Sequence, residues 1–370
     1  MIRVLHSVSN MDRAGIETML MNYYRHIDRN KVQFDFLCNK TKPGAYDEEI
    51  KKMGGRIFHS PGLNPLKFFK YKKNVIEIFE NNPEIKIMHS HNGALAYQSL
   101  YAAYKFGIKN RICHAHATTI DVNLKLPLKL MYKTQLKKVA NKYWGCGKDS
   151  ISFYFGKSII KSDKYMVLHN AIEEDRFIFN KDIRKKIRKQ YNLEDKIVIG
   201  NVARFMKQKN HKFTLDLMSQ IVKKNPNAVL ILLGDGELID QMKEKARSLK
   251  IDNNVLFLGN VNNTNEMYQA MDVFILPSLF EGLPVVGIEA QAAGLKCVMS
   301  NRVTKEVDIT GNVIYLDLKK NSLDEWADTI LNNASYDRKN MKNIIVDAGY
   351  SIKTEAKKLQ EIYEKMGEEE

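Results

Sequence analysis

The sequence predicts an α/β protein with two halves of similar size, each built on a parallel sheet covered by helices. Short apolar runs alternate with amphipathic stretches along nearly all of the 370 residues, a pattern typical of successive β–α–β units. A polar and charged stretch, Glu173–Gln190, interrupts this alternation and is interpreted as the crossing between two domains. The length is sufficient for two domains of ordinary size, predicted as 1–170 and 171–349.

The predicted strands are short apolar runs with Gly, Pro, Asn or charged residues at both ends. In the first half they are Arg3–Ser9, Gln33–Cys38, Arg56–His59, Ile85–His89, Asn110–His114, Tyr143–Gly145 and Met166–Leu168. In the second half they are Ile197–Val202, Ala228–Leu233, Val255–Leu258, Val273–Leu276, Lys296–Ser300 and Val313–Tyr315. Helices are predicted between them, including Ile16–Ile27, Lys70–Asn81, Ala94–Phe106, Lys212–Lys224, Glu237–Ser248, Val285–Ala293 and Asp324–Asn332, and over the tail Ile352–Lys365.

The positive charge lies entirely in the first half. Residues 1–170 contain 28 Lys and Arg against 13 Asp and Glu, and the rest contains 30 of each, so the first half carries the whole net charge of +15. An anionic partner is therefore expected there: a phospholipid surface, a lipid-linked phosphate or nucleic acid. Two basic amphipathic pieces, Pro65–Lys73 and Leu124–Lys138, favour an anionic membrane surface. Ordinary covering helices with solvated lysines are the alternative.

The same composition predicts a cytoplasmic protein, peripheral on the inner face of the plasma membrane. No apolar run approaches the roughly 18 residues of a membrane span, and the N-terminus lacks the apolar region of a signal peptide. The four cysteines, Cys38, Cys113, Cys146 and Cys297, have no metal-binding spacing. They are interpreted as reduced thiols of the core.

The stretch Pro277–Gly294 predicts an anion-binding corner. It follows the apolar strand Val273–Leu276, and Gly282 allows a tight loop with unusual φ. Pro284 fits the first turn of a helix, and Gly294 stands where a left-handed cap would end it. A loop that opens a helix after a strand presents unpaired N–H groups to an anion.

Two carboxylates, Glu281 and Glu289, are built into this corner. Beside a phosphate alone they would be repulsive, whereas carboxylates can accept the vicinal hydroxyls of a ribose and of a second sugar. The alternative is a buried strand–helix corner with solvated acids.

Two other strand ends of the second half carry groups that suit a diphosphate. Arg204 and Lys209 follow the strand Ile197–Val202, where Arg offers a fork to two oxygens and Lys a point charge. The next strand ends in Gly234-Asp235-Gly236-Glu237, whose glycines let the backbone approach a ligand closely. The carboxyl ends of parallel strands share one edge of a sheet, so these groups are expected to converge.

Histidines mark two strand ends of the first half, at His89 and His91 and at His114 and His116. Alternation along a strand places both members of each pair on one face. Four imidazoles could hold a metal, but no carboxylate or cysteine stands nearby in sequence. Hydrogen bonding to a substrate is therefore preferred, and no metal site is predicted.

These motifs together resemble those of the retaining family 4 glycosyltransferases. Within that family they are most similar to the bacterial enzymes of capsular and exopolysaccharide biosynthesis. The most specific part is the E-x7-E pair Glu281 and Glu289 within Pro-Ser-Leu-Phe-Glu-Gly-Leu-Pro. Agreement covers nearly the whole chain, at Gly15-Ile16-Glu17-Thr18, His169-Asn170-Ala171-Ile172, Arg204 to His211, Gly234 to Glu237, and Ala270 to Phe274.

The resemblance implies the GT-B fold: two Rossmann-like domains facing a cleft, with a C-terminal helix, about 350–370, crossing back to the first. It implies that the second domain binds a nucleotide-diphosphate sugar, with uracil as the usual base, and that the first domain binds a glycan or lipid-linked acceptor. No metal or other cofactor and no nucleic acid are expected.

The resemblance also implies a role for individual residues. Glu289 would hold the ribose, Glu281 the donor sugar, Arg204 and Lys209 the diphosphate, and His116 the transferred sugar. The other implied contacts of the donor are Gly15, Gly234, Asp235, Gly236, Val261, Gly282 and Leu283, and those on the acceptor side are His91 and Asn92.

Two positions depart from the family pattern. Ala14 replaces the first of two paired glycines, which could shift the N-terminal loop, and Ala171 replaces the glycine that usually follows Asn170. A sugar-nucleotide epimerase or a phosphorylase of the same fold remains an alternative function, and a basic nucleic-acid-binding protein is a further one.

Overall fold

The chain forms two α/β units. The computed structural model describes residues 1–60, 62–63, 67–120, 126–319 and 322–368. Its first unit comprises Met1–Ala171 together with Ser351–Glu370, and the second comprises Ile172–Tyr350.

The first unit contains a seven-stranded parallel sheet with the order β3-β2-β1-β4-β5-β6-β7. Its strands are β1 (Ile2–Val8), β2 (Val32–Cys38), β3 (Ile57–His59), β4 (Ile85–Ser90), β5 (Asn110–Ala115), β6 (Lys142–Gly145) and β7 (Tyr165–Val167). Its helices are α1 (Gly15–His26), α2 (Asp47–Lys52), α3 (Phe68–Asn81), α4 (Ala96–Phe106), α5 (Leu126–Val139), α6 (Lys148–Phe155) and α14 (Ile352–Glu368). Buried apolar clusters cover both faces of the sheet.

The second unit contains a six-stranded parallel sheet with the order β10-β9-β8-β11-β12-β13. Its strands are β8 (Ile197–Val202), β9 (Ala228–Leu233), β10 (Val255–Gly259), β11 (Val273–Leu276), β12 (Lys296–Ser300) and β13 (Val313–Leu316). Its helices are α7 (Lys181–Gln190), α8 (His211–Lys224), α9 (Ile239–Ser248), α10 (Thr264–Ala270), α11 (Val285–Ala292), α12 (Leu323–Asn332) and α13 (Lys342–Asp347). The predicted α/β class with two parallel sheets is confirmed.

The C-terminal helix α14 belongs to the first unit, as predicted. It packs the buried Tyr363 and Leu359 into the same cluster as Val4 and Phe34 of the first sheet. The Tyr363 hydroxyl also lies 2.7 Å from Nδ1 of His89. The last element of the chain therefore supports the strands that carry the histidines.

The stretch Glu173–Gln190, interpreted from the sequence as the crossing into the second domain, lies at the start of the second unit, which begins at Ile172. The stretch contains α7, which Asn180 caps by accepting hydrogen bonds from two backbone N–H groups. Arg184 and Arg188 of this helix form ion pairs of 2.5 and 3.1 Å with Asp272, immediately before β11. These two arginines therefore attach α7 to the second sheet.

Candidate active site

In both sheets the strand order reverses at a central pair of strands. This pair is β1 and β4 in the first unit and β8 and β11 in the second. The connections that follow the two strands of such a pair pass to opposite faces of the sheet. They leave a crevice at the carboxyl ends of the strands, which is the usual ligand position in doubly wound sheets. The predicted site residues of each unit gather at these ends.

The loops after β8 and β9 are joined through Phe205. Its N–H donates to the Asp235 carbonyl at 2.9 Å, and its side chain is fully buried. Gly234 has φ +130°, and a Cβ there would lie 2.3 Å from the Ala203 carbonyl oxygen. Only glycine fits this approach. The close joint leaves the Arg204 side chain exposed at the strand end.

The loops after β8 and β11 are joined in the same way. The Leu279 N–H donates to the Gln208 carbonyl at 2.8 Å. The Asn210 side chain donates to the Pro277 carbonyl at 3.1 Å, while its backbone adopts the left-handed conformation with φ 57°. Residues on two distant parts of the chain are thus fixed at one edge of the sheet.

Lys209 and Glu281 form an ion pair between these loops. The Lys209 Nζ to Glu281 Oε1 distance is 2.5 Å, and the side chains are only 17% and 7% exposed. Gln208 donates to the other carboxylate oxygen at 3.2 Å. The two groups that the sequence assigns to different parts of a ligand are therefore partners, and each retains further hydrogen-bonding capacity.

Glu289 lies half-buried on α11, and its Oε2 accepts a hydrogen bond of 2.9 Å from the Tyr268 hydroxyl. Burial raises the pKa of the Glu289 carboxyl, against the opposing effects of Tyr268 and of the positive charge on Arg176. Sequence reasoning missed both partners, because neither lies in a recognisable motif. Among the described residues, the other carboxylate oxygen of Glu289 has no hydrogen-bond partner, so it is available to a hydroxyl.

Gly282 does not support the predicted loop with unusual φ, since it is absent from the described glycines that have positive φ. The hydrogen bond of 2.9 Å from Gln208 Nε2 to the Phe280 carbonyl holds the loop instead. Pro284 lies one position before α11, as its N-cap. The predicted left-handed cap at Gly294 is confirmed, with φ +72°.

The remaining predicted donor contacts lie at other strand ends. Leu283 is buried beside Gly282, and the Val261 carbonyl follows β10 and accepts a hydrogen bond from Thr264 Oγ1. In the first unit, Gly15 is exposed and begins α1. The preceding Ala14 has extended backbone with φ −129°, which any residue adopts, so its methyl group requires no shift of the loop.

Five histidines of the first unit meet at the ends of β1, β4 and β5. The first chain of ring contacts runs from His6 Nδ1 to His91 Nε2 at 3.0 Å and from His91 Nδ1 to His116 Nε2 at 2.9 Å. A second links Tyr363, His89 and His114, with 3.1 Å between the two imidazoles. Sequence reasoning missed His6 and Tyr363.

The first chain of ring contacts favours a proton on one of the two nitrogens of His116. Each neutral imidazole has one N–H and one bare nitrogen, so the donors along His6, His91 and His116 all point the same way. As far as the structure describes the chain, the buried His6 Nε2 has no hydrogen-bond partner, and an orphaned donor is rarer than an orphaned acceptor. The favoured arrangement therefore leaves an N–H on His116 Nδ1. The predicted acceptor-side residue Asn92 follows His91 in sequence, and its side-chain amide donates to Ser7 Oγ at 2.8 Å.

These histidines are also the candidates for a metal in the described part of the chain. Within each of two groups, His6 with His89 and His91, and His91 with His114 and His116, potential ligand atoms lie within 4.8 Å of one another. An ion would have to displace the hydrogen bonds between the rings, and no acid belongs to either group.

Acid is expected to unfold the first unit through these histidines. Burial lowers the pKa of His6 and of His116 to about 3, and the pKa values of His89, His91 and His114 also lie well below 6.5. The unfolded chain therefore binds more protons between about pH 6.5 and 3. The free energy of unfolding of the first unit should therefore fall as pH falls through this window, by about 1.4 kcal/mol per pH unit for each such histidine.

Urea unfolding followed by Trp144 fluorescence in a Trp326→Phe background measures this effect, because the two tryptophans lie in different units. His6→Phe should reduce the slope by about one proton. The prediction is contradicted if protonation of carboxylates alone accounts for the slope of the free energy of unfolding against pH and if His6→Phe leaves that slope unchanged.

Comparison with known proteins shows the family of this chain. Residues 183–364 match the family model described as glycosyl transferases group 1. The glycosyltransferase EpsF of Bacillus subtilis is 37% identical over 98% of this chain and 96% of its own. The chain belongs to the group 1 glycosyltransferases.

More distant relatives share the architecture. An Escherichia coli enzyme, UDP-Gal:α-D-GlcNAc-diphosphoundecaprenol α-1,3-galactosyltransferase, is 23% identical over 95% of this chain and 93% of its own. The structure of Anabaena HepE in complex with UDP and glucose superimposes with a TM-score of 0.76, at 14% identity, and covers 98% of this chain and 99% of HepE. The predicted GT-B fold class is thereby confirmed.

Proposed function

We propose that the protein is a retaining glycosyltransferase of the family 4 type, which transfers a hexose from a UDP-sugar to a glycan or lipid-linked acceptor in capsular or exopolysaccharide biosynthesis. The observation that carries this proposal is the joint between the β8 and β11 loops. In this joint Lys209 forms an ion pair with Glu281, Arg204 lies on the same loop after β8, and Glu289 lies on the following helix. Cations for a diphosphate and carboxylates for hydroxyls then occur on one edge.

Each donor contact follows from this arrangement. Arg204 and Lys209 neutralise the diphosphate, and Glu289 accepts hydrogen bonds from the ribose hydroxyls. Glu281, which Lys209 orients, accepts from hydroxyls of the donor sugar. Backbone groups at Gly234 to Gly236, Val261, Gly282 and Leu283 are the other proposed donor contacts in the second unit, and Gly15 is the proposed phosphate contact in the first unit.

The reaction is a substitution at the anomeric carbon on the face from which the diphosphate leaves. The acceptor oxygen forms the new glycosidic bond, the bond to the diphosphate oxygen breaks with its electron pair, and the hydroxyl proton passes to the leaving diphosphate. Arg204 and Lys209 stabilise the developing charge, the usual large contribution of preorganised donors. His116 Nδ1–H donates to a hydroxyl of the transferred sugar, and His91 and Asn92 lie on the acceptor side.

A panel of nucleotide-sugars with a synthetic lipid-linked glycan tests this function. Transfer should occur from one UDP-sugar, and the anomeric coupling constant of the product should match that of the donor. Inverted product contradicts the retaining mechanism. Conversion of the donor without acceptor to an epimer favours the epimerase alternative, and sugar phosphate formed from glycan and phosphate favours the phosphorylase.

The proposed transfer requires no metal, because side-chain cations and the α11 N-terminus stabilise the leaving group. Exhaustive treatment with a chelator is expected to leave the transfer rate unchanged. Loss of activity that Mg²⁺ or Mn²⁺ restores would contradict this. The same assay with Lys209→Ala provides the inactive control.

The first unit is also proposed to bind the inner face of the plasma membrane. Of the two basic pieces, Pro65, Leu66, Leu124 and Lys125 lie outside the described residues. In the described parts, Phe69 on α3 is 82% exposed, and Leu130 and Met131 on α5 are about half exposed. Among the described helices, none is long and apolar enough to cross a bilayer.

Sedimentation with vesicles measures membrane binding. The protein should sediment with anionic but not with neutral vesicles, less so at high salt, and Phe69→Asp should weaken binding. Equal binding to both vesicle types, or to neither, contradicts the membrane proposal. Phe280→Asp, at an exposed apolar residue of the second unit, is the matched control.

A further inference from the structure

A second group of cations lies in the first unit, at the carboxyl ends of β2 and β3. It lines an open pocket of about 620 Å³, within the ordinary range of small-molecule sites. Four lysines, Lys40, Lys42, Lys67 and Lys70, belong to its wall, with Asn39, His59 and Ser60 among the other lining residues. The donor contacts described above include none of these residues.

The charge of this pocket is unbalanced. Its lining contains no Asp or Glu, and in the ranges that the structure describes none of the four lysines has an acid within ion-pair distance. Lys40 favours the ionised form of Glu17, although burial, the larger effect, raises the pKa of that carboxyl. Four cations around one cavity repel one another until an anion occupies it.

The start of α3 adds to the positive potential. Lys67 is the N-cap of this 14-residue helix and Lys70 lies in its first turn, which has neither an acid nor a side-chain cap. A helix N-terminus favours negative charge, so lysines there are unfavourable unless an anion binds. The lysine pocket and the helix terminus therefore point to the same kind of ligand.

The floor of the pocket is fixed by hydrogen bonds. Ser60 Oγ donates to Asn39 Oδ1 at 3.2 Å, and Asn39 Nδ2 donates to the Val8 carbonyl at 2.6 Å. His59 Nδ1–H donates to the Lys40 carbonyl at 2.7 Å, which ties the loop after β2 to β3. Exposed lysine side chains thus extend from a rigid base.

We propose that this pocket binds the phosphate or diphosphate group of the acceptor. The inference rests on the proposed transferase function, in which the donor diphosphate is held by Arg204 and Lys209 of the second unit. The pocket lies at the same sheet edge as His91, on the acceptor side. The acceptor is accordingly a sugar whose first residue is esterified to phosphate or diphosphate, either free or lipid-linked.

Titration of inorganic pyrophosphate into the 370-residue protein saturated with UDP tests the proposal. Pyrophosphate should bind, and Lys42→Ala/Lys70→Ala should weaken its binding at least tenfold. The matched control, Lys51→Ala/Lys52→Ala on α2 of the same unit, should not. Absence of pyrophosphate binding, or equal loss in both variants, overturns the proposal.

Two further measurements complete the test. One distinguishes a lipid-linked from a free sugar phosphate, and the other distinguishes failure of the acceptor inference from failure of the transferase proposal. Farnesyl diphosphate that binds more tightly than pyrophosphate identifies a lipid-linked acceptor, and a hexose 1-phosphate that binds more tightly identifies a free sugar phosphate. UDP binding in the same titrations tests the donor site. If UDP binds and pyrophosphate does not, only the acceptor inference fails. If UDP does not bind, the transferase proposal fails, and pyrophosphate titrated into the protein without UDP still compares the lysine variants.

Discussion

Lys209→Ala is expected to lower the rate of sugar transfer by about 10²- to 10³-fold, the usual effect of removing one preorganised donor from a site of developing charge. The ammonium lies in a largely buried position, 2.5 Å from Glu281, where its charge is weakly screened. Its loss removes stabilisation of the leaving diphosphate and also leaves Glu281 free to turn away from the donor sugar. Initial rates at saturating donor and acceptor measure the effect.

The control for this prediction is Lys212→Ala, which removes an exposed lysine from the first turn of the adjacent helix. It should retain nearly the wild-type rate. A Lys209→Ala enzyme within a factor of a few of wild type would show that the leaving group does not depend on this cation.

Glu281→Ala is expected to lower the free energy of unfolding of the second unit by about 3 kcal/mol, because it leaves the Lys209 ammonium buried and unpaired. Adding Lys209→Met to this variant should recover most of that stability, since the unpaired charge is then gone. Neither variant should transfer sugar at a substantial rate. The pair thus separates a cost in stability from a loss of catalysis.

Urea unfolding followed by Trp326 fluorescence in a Trp144→Phe background measures both stabilities. The cycle completed with Lys209→Met alone gives the coupling between the two side chains. A double variant that is no more stable than Glu281→Ala contradicts the view that the pair is held as a buried unit.

The strands were the most predictable part of the fold. Ala228–Leu233 and Val273–Leu276 are buried throughout, and central strands of parallel sheets produce continuous apolar runs for this reason. Short helices escaped prediction because their few apolar residues leave little periodicity, as in Asp47–Lys52. The helix Lys181–Gln190 escaped because its stability depends on ion pairs with Asp272, remote in sequence.

The candidate site shows a similar division. Motif residues such as Arg204, Gly234 and Glu281 could be placed at strand ends from the order of apolar runs alone. The pairing of Lys209 with Glu281 could not, because it depends on how two loops meet across the sheet. His6 and Tyr363 join the histidine chains only through the adjacency of β1 with β4 and the return of α14.

Calorimetric titration of UDP into the wild type and into Arg204→Ala/Lys209→Ala tests the donor site most directly. UDP should bind with one site per chain, and removal of the two cations should weaken it by about 100-fold or more. Uridine, which lacks phosphate, should bind both proteins equally weakly. UDP that binds both proteins with the same affinity, or no nucleoside diphosphate that binds the wild type, would contradict the assignment of the β8 and β11 loops as a nucleotide-sugar site.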